Sequence, residues 1–315
     1  MATPFITLDR LTMVAPLGVR FHDTMTGKLV GDGLSVWVYP PDKPTARRRA
    51  LGNRKGIYVL HHAYGLRDRE QGDGTQAYWD NPIPPNKDFI IEVSDDERRF
   101  QPVQFTASLP ARGVFQWDGP DDSPPVPLSS VPLFSSPVRT SPGGMAIIRA
   151  ELWDTSIDGP ASWAVLEAYD GARRIAQGIA DELGRIALIF SYPAPITFAS
   201  SSPPGSPLGS PPVASGPPLV EQVWALGLRA LYTPDRPVSS PLNSVEADQS
   251  FPDLRFTLSQ PEATLWADAE LSEILLETNL RFGRELILKS RPALGSPLSA
   301  TGDSVLFITP AVSPP

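Results

Sequence analysis

The 315-residue chain contains no cysteine. This absence excludes disulfide bonds, thiolate metal ligands and a cysteine nucleophile. Because secreted β-domains often depend on disulfides, it favours folding in the cytoplasm. No apolar run approaches the length of about 18 residues that a membrane-spanning helix needs. The start of the chain, MATPFITLDRLTMVAP, also lacks the basic and apolar regions of a secretory signal.

Histidine and positive charge are also scarce. The three histidines are His22, His61 and His62, and the last two are adjacent on a predicted strand, where they point to opposite faces and cannot share one metal ion. The net charge of −8 argues against nucleic acid as a partner. The run from Arg47 to Arg49 is interpreted as a solvated loop.

Sequence motifs for catalysis are missing too. The chain has no G-x-S-x-G elbow, phosphate loop, H-E-x-x-H or calcium-binding loop. Acidic pairs at Asp95-Asp96, Asp121-Asp122 and Asp181-Glu182 fall in predicted turns or loops, where solvation and turn formation explain them. The sequence therefore predicts no enzyme activity, no catalytic or metal-binding residues and no cofactor.

Proline is what the chain has in excess, with 37 residues. Proline interrupts helices and central strands, so this composition favours short strands joined by stiff loops. The predicted fold is mainly β: two small antiparallel β-sandwich modules and a C-terminal β-rich region, joined by Pro/Ser/Gly-rich connectors.

Residues 1–116 form the first predicted module. Apolar residues alternate over residues 34–38 and 55–62, and two further strands flank a hairpin turn at Asp95 and Asp96. Pro102 is expected at an edge or bulge of that hairpin. Residues 117–144 are rich in proline and serine and are interpreted as a connector.

Residues 145–198 are predicted to be a shorter copy of the first module. Asp23-Thr24 aligns with Asp154-Thr155, and an Asn/Asp-x-x-Gly turn occurs in both copies, at residues 53–56 and 181–184. Asparagine, aspartate and glycine suit such turns because they tolerate positive φ.

Residues 199–221 are a Pro/Ser/Gly-rich strap, partly polyproline II and partly flexible. A disordered linker is one interpretation, and a segment ordered against a partner is the other. Residues 222–315 are predicted to be β-rich, with strands at 222–232, 254–260, 263–269, 280–290 and 304–311 and one short helix at 270–277.

Aromatic and apolar residues beside prolines are the candidate interface residues. Trp37, Trp153 and Trp163 are expected in the core. Trp79 and Trp117 beside proline-rich loops can anchor a protein interface, pack in the core or stack on a sugar, and the neighbouring prolines favour the interface. The candidates are Trp79, Trp117, Val126, Leu128, Val131, Leu133, Phe134, Pro203, Pro204, Pro211 and Pro212.

The segment DTMTGKLVGDGLSVWVYP, followed by NRKGIYVLHHAYGLRD, resembles carboxypeptidase-regulatory-like (transthyretin-like) β-sandwich domains. Those domains carry a D-x-x-T-G type turn before one strand and an N/D-x-x-G-x-Y-x-L strand after it. Both features are present at residues 23–27 and 53–60.

A narrower resemblance covers most of the chain. PLGVRFHDTMTGKLVGDGLSVWVYP, FTASLPARGVFQWD, PGGMAIIRAELWD, SWAVLEAYDG and LRFGRELILKSR are similar to a protein of extracellular contractile injection systems. The resemblance implies a structural subunit, most naturally in the baseplate, with baseplate, sheath or tube proteins as partners. It implies assembly in the cytoplasm into a particle that is tethered or released. A glycan-binding adhesion module and an accessory domain of a hydrolase are the alternatives.

Overall fold

A computed structural model describes residues 15–66, 86–111, 113–119, 130–195, 198–199, 214–215, 217–234, 251–291 and 305–311. The fold is mainly β, as predicted, with two curled multi-stranded sheets. In the described residues the only α-helix is a single short one, α1 (Leu254–Leu258), and two 3₁₀ turns lie at Pro44–Ala46 and Leu219–Glu221.

The first sheet has seven strands. They are β1 (Leu17–Asp23), β2 (Leu34–Tyr39), β3 (Arg48–Gly52), β4 (Ile57–Leu60), β5 (Lys87–Asp95), β6 (Val103–Leu109) and β7 (Ser130–Leu133). Their order is β6-β5-β2-β3-β4-β1-β7, and all neighbours are antiparallel except β1 and β7. A bridge between Phe100 and Ser135 joins the two ends of the order, so the sheet curls around its apolar face.

The second sheet has ten strands and takes in both later regions of the chain. They are β8 (Met145–Asp154), β9 (Gly159–Pro160), β10 (Val165–Asp170), β11 (Arg173–Ile179), β12 (Arg185–Ser191), β15 (Val223–Leu231), β16 (Glu262–Leu265), β17 (Glu277–Arg281), β18 (Leu286–Leu288) and β19 (Leu306–Thr309). Two short strands, β13 (Phe198–Ala199) and β14 (Ala214–Ser215), pair only with each other.

Residues 145–198 and the C-terminal region are therefore not separate units. The main strand path is β11-β10-β15-β16-β19-β8-β12, so C-terminal strands lie between β10 and β8. The first four residues of β10 are buried on both faces, and such a strand needs a hydrogen-bonded neighbour on each side. In this molecule β15 supplies the second neighbour.

The predicted helix at 270–277 is wrong. The Asp268 carboxylate accepts hydrogen bonds from the backbone N–H groups of Glu270, Ser272 and Glu273 at 2.8–3.0 Å. These bonds hold the segment as a loop, and Leu271 has a φ of +55°. The apolar residues have helical spacing, but the Asp268 side chain takes the backbone N–H groups that a helix would need, and this effect is stronger.

The helix occurs instead at α1, in a segment predicted to be a strand. Asp253 caps it, because its carboxylate accepts from the N–H of Phe256 at 2.9 Å. Leu254 and Leu258 of this helix pack into the same core cluster as the first sheet, together with Trp163 from the second. The preceding residue Pro252 accepts a backbone hydrogen bond from Gln104 of β6 at 2.9 Å. The two sheets thus share a core and a backbone contact.

The aligned turn of the first copy forms around Asn53. Its side-chain Oδ1 accepts from the N–H groups of Lys55 and Ile57 at 2.9 and 3.1 Å. Its N–H donates to the carbonyl of Ile57, and its carbonyl accepts from Gly56. Gly56 has a φ of +68°, which a glycine adopts without strain.

The second copy repeats this turn bond for bond around Asp181. Its Oδ1 accepts from Leu183 and Arg185 at 2.9 and 2.8 Å. Its N–H donates to Arg185 and its carbonyl accepts from Gly184, which has a φ of +75°. In each copy the strand after the turn pairs antiparallel with the first strand, β4 with β1 and β12 with β8. The alignment of the two modules therefore corresponds to equivalent local structure.

Candidate interaction surfaces

Part of the predicted interface lies outside the described residues. This holds for Trp79, Val126, Leu128, Pro203, Pro204, Pro211 and Pro212. Their proposed contacts with a partner remain predictions.

Val131, Leu133 and Phe134 were predicted to anchor a partner, and this is wrong for all three. They are buried in the core of the first sheet, where β7 runs parallel to β1. The connector interpretation accordingly fails for residues 130–136. Pro132 favoured the connector interpretation, because proline is excluded from most strands. Among the described strands, however, β7 pairs only with β1, and such an edge strand tolerates a proline.

Trp117 is half-buried and contacts its own chain. Its ring packs edge-on against Phe105 with centroids 5.7 Å apart, and the Arg255 guanidinium lies 5.2 Å from the ring centroid on another side. Arg255 also pairs with Asp118. Since Arg255 belongs to α1, Trp117 helps to join the first sheet to the later part of the chain.

The three tryptophans expected in the core have different environments. Trp163 is buried, which confirms its prediction. Trp37 and Trp153 are half-exposed on the outer faces of their strands. Arg47 lies over the Trp37 ring, 4.4 Å from the centroid.

The histidines do not gather into a site. His22 is buried, and its Nδ1 lies 3.0 Å from the Ser130 hydroxyl. Burial lowers the pKa of His22 to about 4, partly opposed by the adjacent Asp23. His61 and His62 are exposed at the end of β4. In the described part of the chain, no three acidic or histidine side chains are grouped as a metal would require.

Asp23 forms the most complete buried ion pair of the first sheet. Its two carboxylate oxygens accept from the two terminal nitrogens of Arg139 at 2.9 and 2.8 Å. Burial alone would raise the pKa of Asp23, but the hydrogen bonds and positive charge of Arg139 hold it below its usual value. Arg139 thereby ties residues 134–139 to the end of β1.

Each sheet also buries a carboxylate on its outer face. Glu92 accepts a 2.5 Å hydrogen bond from the Tyr39 hydroxyl, and burial raises the pKa of Glu92. In the second sheet Glu167 accepts from Arg174, Gln177 and Tyr169 at 2.7–2.8 Å. Because their partners come from the same sheet, these groups stabilise strand pairing and expose no reactive atom.

Exposed apolar side chains occur where the strap ends. Leu219, Val220 and Val223 are exposed there, and Val220 retains 75% of its accessible surface. The strap also begins and ends at one place, because Ala199 of β13 pairs with Ala214 of β14. We name Leu219, Val220 and Val223 the strap patch. The sequence signal was a cluster of three apolar residues in the segment LVEQV, directly after the proline pair at 217 and 218.

Comparisons with known proteins give little. No model of a protein family matches this chain, and no curated protein does either. Among solved structures, the Bacillus anthracis TIE protein is similar over 84% of this chain and 41% of its own length, with 9% identity and a TM-score of 0.22. This likeness is too distant to assign a fold family or a function. No helix in the described ranges is long and apolar enough to cross a membrane.

Proposed function

We propose that this chain is a non-enzymatic structural subunit of a contractile injection particle, and that it joins neighbouring baseplate, sheath or tube proteins. The proposal includes assembly in the cytoplasm and partners that are proteins. It rests on the resemblance of the segments quoted above and on one structural observation, the strap patch.

The strap patch supports a binding role for physical reasons. Leu219, Val220 and Val223 lie close together in sequence and leave apolar surface in water, which is unfavourable unless another surface covers it. Val223 begins β15, an interior strand of the second sheet that pairs with β10, β16 and β17, so the patch is held on a rigid support. A rigid apolar surface loses little conformational entropy when a partner binds.

The pairing of Ala199 with Ala214 shows which part of the strap can be removed to test its role. Residues 200–213 can be replaced by a two-residue Asn-Gly turn between Ala199 and Ala214, because these residues are already paired. A longer deletion would remove the carbonyl of Pro217, which accepts from the Gln222 side chain at 3.2 Å. The short replacement leaves the contacts of β15 unchanged.

The experiment compares incorporation of four forms into purified particles: the wild type, the strap replacement, Val220→Ser with Leu219→Ser, and a control. Both variants should fold, as judged by an unchanged thermal midpoint, and both should incorporate poorly. Arg173→Ser, at an exposed position on β11, is the matched control and should incorporate normally. Normal incorporation of both variants would contradict the proposed role of the strap and its patch.

Glycan binding, the alternative from sequence, gains no support from Trp117. That ring is half-buried and contacts both Phe105 and Arg255, which leaves little of it free for a sugar to stack on. A glycan array with the full chain is the direct comparison.

A further inference from the structure

The outer side of the first sheet carries a concentrated positive charge. Residues 43–55 contain six basic residues and no acidic one, although the whole chain has a net charge of −8. We name Arg47, Arg49, Leu51, Arg54 and Lys55 the basic face; Arg48 is left out because it pairs with the core residue Val38 and so lies on the other side of β3. Arg49, Arg54 and Lys55 are exposed, and Leu51 retains 58% of its accessible surface.

Sheet register makes this face continuous with further apolar side chains. Arg49 on β3 is paired with Trp37 on β2, and Leu51 with Val59 on β4. Since paired residues on neighbouring strands share a face, Trp37, Leu51 and Val59 form an apolar strip between the arginines. No carboxylate in the described part of the chain forms an ion pair with Arg54 or Lys55.

The second sheet presents a loop of opposite character. Residues 268–277 contain four acidic residues and no basic one. Ile274 and Leu276 of this loop retain 50% and 64% of their accessible surface. The hydrogen bonds to Asp268 fix the loop, and backbone hydrogen bonds join Leu276 to Leu228 and Leu275 to Leu265. We name residues 268–277 the acidic loop.

We propose that the acidic loop of one copy of this chain docks on the basic face of a second copy. Glu270 and Glu277 then lie against the arginines, and Ile274 and Leu276 against Leu51 and Trp37. Opposite charges bring the surfaces together and set the orientation, while the apolar contacts hold them. This inference does not depend on the proposed function.

The two surfaces allow two kinds of association. The basic face lies on the first sheet and the acidic loop on the second, so each copy offers one of each. The contact can form twice in a two-fold dimer, or once per pair in a head-to-tail series of copies.

The first test is sedimentation velocity of the full chain over a range of concentrations. Dimers or larger species should form at about 0.1 M salt. They should dissociate at about 1 M salt, where the screening length falls from about 10 Å to about 3 Å. A chain that remains monomeric at every concentration in low salt overturns the proposal, and so does association that strengthens with salt.

Two charge-reversal variants assign the surfaces. The face variant carries Arg49→Glu and Arg54→Glu, and the loop variant carries Glu270→Arg and Glu277→Arg; all four positions are exposed. Each variant alone presents like charges at the contact and should associate more than about tenfold more weakly than the wild type. A mixture should associate again, because the acidic face of one meets the basic loop of the other.

A control variant separates this effect from net charge. Lys28→Glu with Arg173→Glu changes two exposed basic residues outside both surfaces and makes the same change in net charge as the face variant. It should associate like the wild type. Should the control weaken association as much as the face variant, or should the mixture stay monomeric, the assignment to these two surfaces is wrong. The salt series on the wild type decides the matter even if a variant fails to fold.

Discussion

The two copies of the module have the same turns but different tertiary support. After the first strand, Asp23 accepts from the N–H of Met25 at 2.9 Å and Asp154 accepts from that of Ser156 at 2.8 Å. Asp23 then pairs with Arg139, whereas Asp154 is fully buried and forms no ion pair with any described residue. The local sequence is enough to form the turn in both copies. Whether the charge of the buried aspartate is balanced depends on a residue that is distant in sequence.

Tyr232 takes the place of an arginine beside Asp154. Burial, followed by the negative charge of Asp154, raises the pKa of the Tyr232 hydroxyl well above its usual value. Tyr232 directly follows β15, so this support comes from the C-terminal region. The second copy thus depends on chain that lies outside its own sequence repeat, and each difference between the copies can be tested by paired substitutions.

The largest expected difference is between the losses of stability on replacing Arg139, the partner of Asp23, and Tyr232, the neighbour of Asp154. Arg139→Leu leaves Asp23 buried without its cation and should lower the free energy of unfolding by about 3–5 kcal/mol. Tyr232→Phe removes one hydroxyl and should cost about 1 kcal/mol. Urea denaturation at neutral pH measures both. Adding Asp23→Asn to Arg139→Leu should recover part of the loss, and equal losses for the two single variants would contradict the comparison.

The two turn glycines should also differ. Gly56→Ala places a methyl group at positive φ in ordinary van der Waals contact with Gly31, 3.6 Å from its Cα, and should cost about 1–2 kcal/mol. In Gly184→Ala the added methyl group would also overlap the carbonyl oxygen of Leu152, so about 1–3 kcal/mol is added. Thermal unfolding ranks the pair, and a larger loss for Gly56→Ala would show that the crowding at Gly184 has no effect.

His22 has no counterpart in the second copy and gives the first an acid sensitivity. Its pKa in the folded chain is about 4, below about 6.5 in the unfolded chain. The unfolded state therefore binds more protons as the pH falls from about 6.5 to about 4, and stability is lost across that window by about 3 kcal/mol. His22→Asn should flatten this part of the stability curve. An unchanged slope would mean that other groups cause the acid loss.

The smallest expected effects concern the turn side chains. Asn53→Ala and Asp181→Ala each remove two hydrogen bonds to backbone N–H groups and should cost about 1 kcal/mol. Asp181→Ala also loses its ion pair with Arg185, which is about half-exposed and adds only a few tenths. Denaturation should give nearly equal losses; a difference above about 1 kcal/mol would show that the turns are not equivalent.

Strands and turns were predictable because their signals are local. Alternating apolar residues located β2 and β5, and Asn53 and Asp181 with their glycines located the matching turns. Which strands pair with each other depends on residues far apart in the chain, and no sequence pattern indicated that β15 pairs with β10. The loop at 268–277 was mispredicted because the spacing of apolar residues is the same whether or not Asp268 takes the backbone donors.

The interface was harder to predict than the fold. Val131, Leu133 and Phe134 are apolar residues beside prolines, and so are Leu219 and Val220, yet the first three are buried and the last two exposed. The difference is the neighbouring strand. β7 pairs with β1, and this pairing places Val131, Leu133 and Phe134 in the core, whereas Leu219 and Val220 have no such pairing among the described strands. Exposure is a property of the assembled sheets, so composition alone could not distinguish these segments.

The central claim is that this chain acts by binding neighbouring protein chains. Its most direct test is chemical cross-linking and mass spectrometry of the tagged full chain after sedimentation from its native cells. The account predicts that the chain sediments with sheath and tube proteins and forms cross-links to them. A chain that stays in the slow-sedimenting fraction, with cross-links only within itself, would contradict it.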